Sequence, residues 1–432
     1  MIGVASDGYV HDRRAIEALR SGVPNNDAVR ALGCAQPEIE QAFRGQLMAA
    51  ADGVAANSQA PGILVSGDFG SGKSHLLEYL MHVALEQRFV CSKVIISKET
   101  PLHDPAKLYR SAIRAAVVPD RKGSALTEVA SSLNFSSEPY ADFYRWVNQP
   151  DVGLNSRFPA TVFLYECESQ KDPEVRDRII SFWSGDPLGV APLRAWLRSR
   201  GEAGSYRLEG VTAWELALQR FRFASRLMVA AGYRGWALLV DEVELIGRYS
   251  FKQRARSYAE LGRWAGKLQG EAYPGLATVF AITSDFSENV VYGRNDLEVI
   301  PGKLRASGVD ADHLLASQAE RGMRLIDDRR KPSQFLRLSA PEPATVDHTR
   351  SRIRELYESA YGWPTPHPSS DERLTSTVMR QYVRRWINEW DLRRLYRDYE
   401  PHMIVGEFEM DYSEDRDLDV PMEDDAGERA VD

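Results

Sequence analysis

The run Gly67-Asp68-Phe69-Gly70-Ser71-Gly72-Lys73-Ser74 has the residue types and spacing of a phosphate-holding loop, G-x-x-x-x-G-K-[ST], at every fixed position. Glycines let backbone N–H groups turn inward around phosphate oxygens, and a helix starting at Lys73-Ser74-His75 would add the partial positive charge of its N-terminus. Lys73 is then expected to reach the β- and γ-phosphates of a nucleotide, and the Ser74 hydroxyl to ligate Mg²⁺. Residues 67 to 75 together, His75 included, are the candidate nucleotide cradle. Such a site needs an acid at the end of a second buried strand, and Trp236-Ala-Leu-Leu-Val-Asp241-Glu242 supplies a pair. Asp241 is expected to hold the metal through water, and Glu242 to polarise an attacking water, which would make the site hydrolytic. Another apolar run ends in Thr283-Ser284-Asp285. A polar side chain there, Thr283 being the candidate, could orient the same water, although the same residues also suit an ordinary capping turn.

These side chains work only if rigid elements hold them. Ile63-Leu64-Val65 is short, apolar and bounded by turn residues, which reads as a buried parallel strand, and 75–88 reads as a helix. Further strands are expected over 89–97, at 236–242 and at 276–285, with a short fifth at 335–338. Residues 10–60 read as two helices, the first stopping at Pro24-Asn25-Asn26 and the second beginning at Pro37. From 120 to 230 the pattern loosens into helical pieces with aromatic anchors. Residues 343–400 return to helix, broken at 362–368. Strands alternating with helices indicate a parallel α/β sheet.

Composition narrows the classes. No run approaches the roughly 18 to 20 apolar residues of a membrane helix, and the first residues lack a secretory pattern, so a cytoplasmic protein without a membrane partner is expected. Cys34, Cys91 and Cys167 are far apart and form no CxxC pair, which suggests neither a disulfide framework nor zinc. Of 432 residues, 54 are basic and 62 acidic, for a net charge of −8. That balance is uneven: residues 407–432 hold 12 acidic and 2 basic residues, leaving 52 basic against 50 acidic in the rest. This tail is expected to be a solvated, disordered extension.

Among phosphate-loop enzymes, a transporter-type ATPase would carry an LSGGQ-like stretch before its acidic strand, and residues 208–223 contain none. A GTPase would need N-K-x-D, and the nearest look-alike, Asn148-Gln-Pro-Asp151, lacks the lysine and precedes the acidic strand. Adenine is therefore the expected base and ATP the expected nucleotide. The order of phosphate loop, Asp-Glu strand, polar-ended strand and helical appendage resembles AAA+ ATPases. Four longer stretches resemble the BREX-system ATP-binding protein family, BrxD-like members in particular: RRAIEALRSGVPNNDAVRALG, GDFGSGKSHLLEYL with SKVIISKETPLHDPAKLYR, LLVDEVELIGRYSFKQRARSYAELGRW, and RQYVRRWINEWDLRRLY. The resemblance covers most of residues 10–400 and leaves the acidic tail uncovered.

It implies an ATP-binding and hydrolysing protein of bacterial phage defence, acting beside a helicase, a methyltransferase and a phosphatase-like protein, with ATP-site positions at Lys73, Ser74, Asp241 and Glu242. An ATP-gated scaffold or a DNA-binding module with little turnover is the alternative. The expected architecture is a P-loop NTPase, AAA+-like, with a helical insertion and a helical C-terminal lid. Residues 1–60 form an N-terminal helical segment, 61–119 and 231–340 the two parts of the core, 120–230 the insertion, 341–405 the lid and 406–432 the tail. Lys73 and Asp241 lie 168 residues apart, more than an AAA+ core requires, and the insertion accounts for the excess.

AAA+ sites are usually completed by an arginine from a neighbouring subunit, which would make the chain a homo-oligomer. Arg324, Arg329 and Arg330 lie where such a finger is expected. From the lid, Arg380 or Arg384 could touch the γ-phosphate, and Arg380 is the candidate. The same lid helix carries Val383, Trp386, Ile387 and Trp390 at the spacing of a packed stripe. Arg373, Arg380, Arg384, Arg385, Arg393, Arg394 and Arg397, interleaved with Tyr382, Trp386 and Trp390, could instead form a face for duplex DNA. Lys252, Arg254 and Arg256 make a second basic element.

Overall fold

A computed structural model describes residues 7–22, 25–327, 329, 335–366, 379–396 and 411–418. Its centre is one six-stranded sheet built from β1 (Ile63–Gly67), β2 (Val90–Ile95), β3 (Ala116–Val117), β4 (Trp236–Asp241), β5 (Leu276–Thr283) and β6 (Phe335–Arg337). The spatial order is β3-β2-β4-β5-β1-β6, and every pairing is parallel except that of β2 with β3. The two-residue antiparallel β3 carries too little sequence to give a strand pattern. This mixed α/β arrangement is compatible with a P-loop NTPase-like fold.

β4 and β5 are buried along their whole length, as strands covered on both faces must be. Alternate residues go to opposite layers. Val65, Cys91, Ala237, Leu239 and Val279 meet helices Pro37–Ala56 and Lys73–Glu86 through Phe43, Leu47, Leu76, Leu77 and Leu80. Leu64, Val90, Leu238, Val240 and Phe280 face a larger core on the other side. That core contains the aromatic anchors of the middle helices. Phe221, on helix Ala213–Ala230, stacks on Trp236 of β4 at 5.3 Å and 16°. Phe158, Trp183 and Phe223 pack ring against ring within 4.9–5.4 Å. The helices between 125 and 230 thus share one continuous apolar core with the sheet.

The first helix, Asp7–Ser21, does not pack on the sheet. Ile16 and Leu19 join Ile353 and Tyr357 of helix Pro343–Tyr361 and Val383, Trp386, Ile387 and Trp390 of helix Met379–Leu395 in a separate cluster. Arg20 seals it with a 2.8 Å bond to Asp391 and a 2.9 Å bond to the Tyr361 hydroxyl. The N-terminal helix and the two C-terminal helices are therefore one packing unit. A short helix, Asn26–Leu32, lies between the two expected ones. Asn25 is its N-cap, its side chain accepting from the Ala28 N–H at 2.9 Å, which satisfies an otherwise orphaned donor.

Residues 411–418, inside the expected solvated tail, are packed against the core. Tyr412 is buried, Asp415 pairs with Arg248 at 2.7 Å, and Glu414 pairs with Arg254 at 2.7 Å. Composition does not convey this, because one aromatic ring and two carboxylates, each meeting a particular arginine, anchor the segment. The rest of the tail lies outside the described residues. Among the described residues no helix is long and apolar enough to cross a membrane.

Candidate nucleotide site

The loop leaves β1 at Gly67 and re-enters regular structure at Lys73. Two glycines make the turn: Gly70 at φ +78° and Gly72 at φ +107°, both in the left-handed region that side chains resist. Gly67 has a different reason. A Cβ there would lie 2.6 Å from Ser71 Oγ and 3.3 Å from Leu338 Cβ, so a side chain would push the Ser71 hydroxyl to another rotamer. Among the described residues the buried Ser71 hydroxyl has no hydrogen-bond partner.

Lys73 Nζ is buried and donates to the Gly67 and Asp68 carbonyls at 2.9 and 3.2 Å. It folds back on the loop, the place a phosphate oxygen could take. Register sets what faces it. β5 lies between β1 and β4, with Thr283 paired to Gly67, while Asp241 ends β4 one strand further away. Asp241 is buried and accepts from the Glu242 N–H at 3.0 Å. Glu242 adopts φ 56°, ψ 39°, a left-handed conformation that costs a non-glycine residue about 1 kcal/mol and turns the chain sharply away from the strand. Burial and the adjacent Asp241 raise the Glu242 carboxyl, while Lys73 and Arg380 draw it back down.

One cavity of about 900 Å³ joins these groups, within the range of small-molecule sites. Phe69 to Leu76, Asp241, Glu242, Glu244 and Arg380 line one end, and residues within 32–39 and 337–349 supply much of the remaining wall. The structure thus brings Lys73, Ser74, Asp241, Glu242 and Arg380 around one space. Arg380 donates its backbone N–H to the Gly70 carbonyl at 3.4 Å, and its guanidinium lies 5.6 Å from the half-exposed Phe69 ring. Arg384 is exposed and is absent from this wall.

Three expected site residues sit differently. His75 donates from Nε2 to the Gly33 carbonyl at 2.8 Å, and burial pushes its imidazole below the ordinary range. It therefore ties the loop's helix to the N-terminal segment as a neutral ring, bringing no charge to a phosphate. Asp68 is engaged sideways by the Ser284 hydroxyl. Thr283 is buried away from the cavity wall, its hydroxyl 2.6 Å from that of Tyr412.

Glu244 was not foreseen. It is buried in the cavity wall 4.0 Å from Lys73 Nζ, and its Oε2 has no hydrogen-bond partner among the described residues. Burial raises its carboxyl from the ordinary 4.5 to about 7, against the pull of Lys73. The only signal was the sequence Asp241-Glu-Val-Glu244, three acids in four residues. A raised carboxyl means the folded state binds an extra proton between pH 4.5 and 7, so stability falls as pH rises through that window. Glu244→Gln should therefore stabilise the nucleotide-free protein by roughly 3 kcal/mol at pH 8 and by almost nothing at pH 4.5. Urea unfolding of both proteins at the two pH values measures this, and equal gains at both would show that Glu244 does not titrate there.

The arginines expected to act between subunits or on DNA are largely engaged. Arg329 pairs with Glu288 at 2.6 Å and lies 3.6 Å from the Tyr292 ring. Arg324 is exposed, and Arg330 lies outside the described residues. Arg254 is buried against Asp296 at 3.1 Å, which removes it from any solvated basic face. On the lid helix Trp386 and Trp390 are buried, while Arg393 pairs with Glu389 and Arg394 with Asp391. Bases could not stack on those rings. Arg373 and Arg397 lie outside the described residues.

Comparison with known proteins adds one finding. A family model described as BREX system ATP-binding protein BrxC/D matches residues 10–136 and 207–389. No curated protein and no solved structure is significantly similar. The match takes in residues 67–74, β4 with Glu242, β5 and most of helix Met379–Leu395, and passes over the helices of 137–206. On that match, spanning both halves of the sheet and the cavity between them, the chain belongs to the family of BREX system ATP-binding proteins BrxC/D.

Proposed function

We propose that this chain is an AAA+-like ATPase of a BREX-type phage-defence complex, binding and hydrolysing ATP in the cavity above Lys73. One observation carries the reading: Lys73, folded onto the carbonyls of its own loop, faces the acids that follow β4 across a single cavity. An incoming triphosphate would replace the Gly67 and Asp68 carbonyls as the acceptors of the Lys73 ammonium. Glu242, exposed into the cavity, would take the proton of the attacking water. Arg380, already bonded to the loop, would reach the phosphates from the lid, so nucleotide binding would change how the lid and the N-terminal helix sit on the core.

Mg²⁺ fits this donor set. Ser74 and the buried Asp241 would hold it, Asp241 through water, and it would supply charge neutralisation of the β- and γ-phosphates. Among the described residues no group of three His, Cys, Asp or Glu side chains could hold a metal by itself. Other defence subunits, a helicase, a methyltransferase and a phosphatase-like protein, would be the partners. The buried tryptophans of the lid helix make a duplex-DNA contact there the weaker part of the reading.

The direct test is ATP binding and steady-state hydrolysis by the wild type and Lys73→Ala, at several protein concentrations, with and without duplex DNA. Lys73→Ala should weaken ATP binding at least about tenfold, since it removes a charge-assisted contact to two phosphates. Equal affinity in the two proteins would move the nucleotide elsewhere. Turnover that rises with protein concentration would indicate a site shared between copies.

A further inference from the structure

The loop lysine and Glu244 form a buried pair joined by charge alone. An ammonium has three N–H donors, and Lys73 gives two of its own to the Gly67 and Asp68 carbonyls. Glu244 Oε1 stands 4.0 Å from Lys73 Nζ, beyond hydrogen-bond reach. Glu244 is 5 % exposed and lines the same cavity, and its Oε2 has no hydrogen-bond partner among the described residues. The turn that carries it is fixed. Val243 and Ile246 are buried in the core on either side of it, and Tyr412 of the C-terminal segment packs on Gly247 so closely that an added Cβ would fall 2.8 Å from its ring.

Phosphates would change the balance at this pair. A triphosphate that takes Lys73 from the loop carbonyls leaves Glu244 sharing one buried ammonium with a second anion, and two like charges at one such site drive one of them to protonate. The groups facing Glu244 from the packed elements do not offset this. Asp241 and Glu242, on its own turn, are acids. Tyr412, from the C-terminal segment, is kept neutral by burial, and its O–H is given to Asp285 beyond the end of β5 at 2.9 Å. Arg380, from the lid, acts on Glu242. Among the three acids of the turn, Glu244 is the one suited to take the proton. Asp241 accepts from the Glu242 N–H, which favours its ionised form, and Glu242 is exposed. A protonated carboxyl also gains an O–H donor, which can face a phosphate oxygen that a carboxylate would repel.

We propose that Glu244 is a positioning residue for Lys73: as a carboxylate it holds the ammonium back from the triphosphate, and it lets go by taking one proton from solvent, so that nucleotide binding and proton uptake are one event. This rests on the nucleotide-binding part of the reading above and does not depend on hydrolysis.

The test is calorimetric titration of the full-length wild type and Glu244→Gln with ATPγS and Mg²⁺ at pH 8, in buffers of different ionisation enthalpy, together with Kd from pH 7 to 8.5. Glutamine keeps the size of the side chain and stands for its protonated form. The nucleotide's own ionisation is common to both proteins and cancels in their difference. With its carboxyl near 7 before binding, Glu244 is largely ionised at pH 8, so the wild type should take up about 0.5 to 1 proton more than the variant. Its Kd should weaken about tenfold between pH 7 and 8.5 relative to that of Glu244→Gln, because a group whose pKa rises on binding costs affinity as pH climbs above its unbound value. Equal proton uptake, parallel pH profiles, or a variant that binds more weakly than the wild type at every pH would each overturn the role of Glu244. A wild type that binds no ATPγS at any pH would overturn the nucleotide reading as well, whereas tight binding with no difference in protons removes only the role of Glu244.

Discussion

Glu242→Gln is expected to lower ATP turnover at least about 100-fold while leaving ATP bound as tightly as in the wild type or more so. A positioned general base contributes roughly two to four orders of magnitude, and glutamine keeps the size of the side chain while removing its ability to take a proton. The fold gives Glu242 this assignment over its neighbours. Asp241 is buried and accepts from the Glu242 N–H, a posture suited to holding a hydrated metal. Glu244 is buried beside Lys73 with its carboxyl raised to about 7, so near neutrality a large share of it already carries a proton. Glu242 is the one of the three exposed into the cavity, carried there by its left-handed backbone. Affinity should survive because the lysine and the loop, which hold the phosphates, are untouched. Rapid-mixing hydrolysis with parallel equilibrium binding gives both quantities. Persistent turnover would pass the base role to Glu244. Abolished turnover with intact complex assembly and phage defence would instead favour an ATP-gated scaffold over a motor.

Much of this site was legible because its determinants are local. The glycines at 67, 70 and 72, the lysine and the serine form one loop, and the Asp-Glu pair follows an apolar run whose burial is plain from its residues. Arg380 was legible less directly, through the Val383-Trp386-Ile387-Trp390 stripe that fixes which side of the lid helix is buried. What sequence periodicity could not convey was long-range pairing. The union of the first helix with the lid depends on Arg20 meeting Asp391 across 371 positions. Tyr412 looked like one aromatic in an acidic run, and its meaning comes only from Thr283 and Asp285, more than 120 residues earlier. Glu244 was hidden for another reason. Its significance is the absence of a partner for a buried oxygen, which is a property of packing.

Gly322→Val should destabilise the protein by about 3 kcal/mol or more and should also disturb the Asp-Glu region it never touches. Helices Phe251–Trp264 and Asp310–Leu325 cross in backbone contact: a Cβ on Gly322 would fall 1.7 Å from the Tyr258 carbonyl oxygen and 2.5 Å from its carbon. The obstacle is main chain, so no rotamer change relieves it, and the helices must separate. Overpacking of this kind typically costs 1–3 kcal/mol, and more where backbone has to move. Separation would pull on Tyr258, whose hydroxyl bonds Asp296 at 2.9 Å, and on Arg254, which joins Asp296 to the C-terminal segment through Glu414. The consequence would reach the 243–248 turn that follows Glu242. Gly302→Ala is the matched comparison, since that helical glycine is exposed with nothing within 4 Å of an added Cβ. It should gain about 0.5–1 kcal/mol from reduced freedom of the unfolded chain. Urea midpoints of the two variants should therefore move in opposite directions. A Gly322→Val protein as stable as the wild type would mean that the two helices do not cross at this distance.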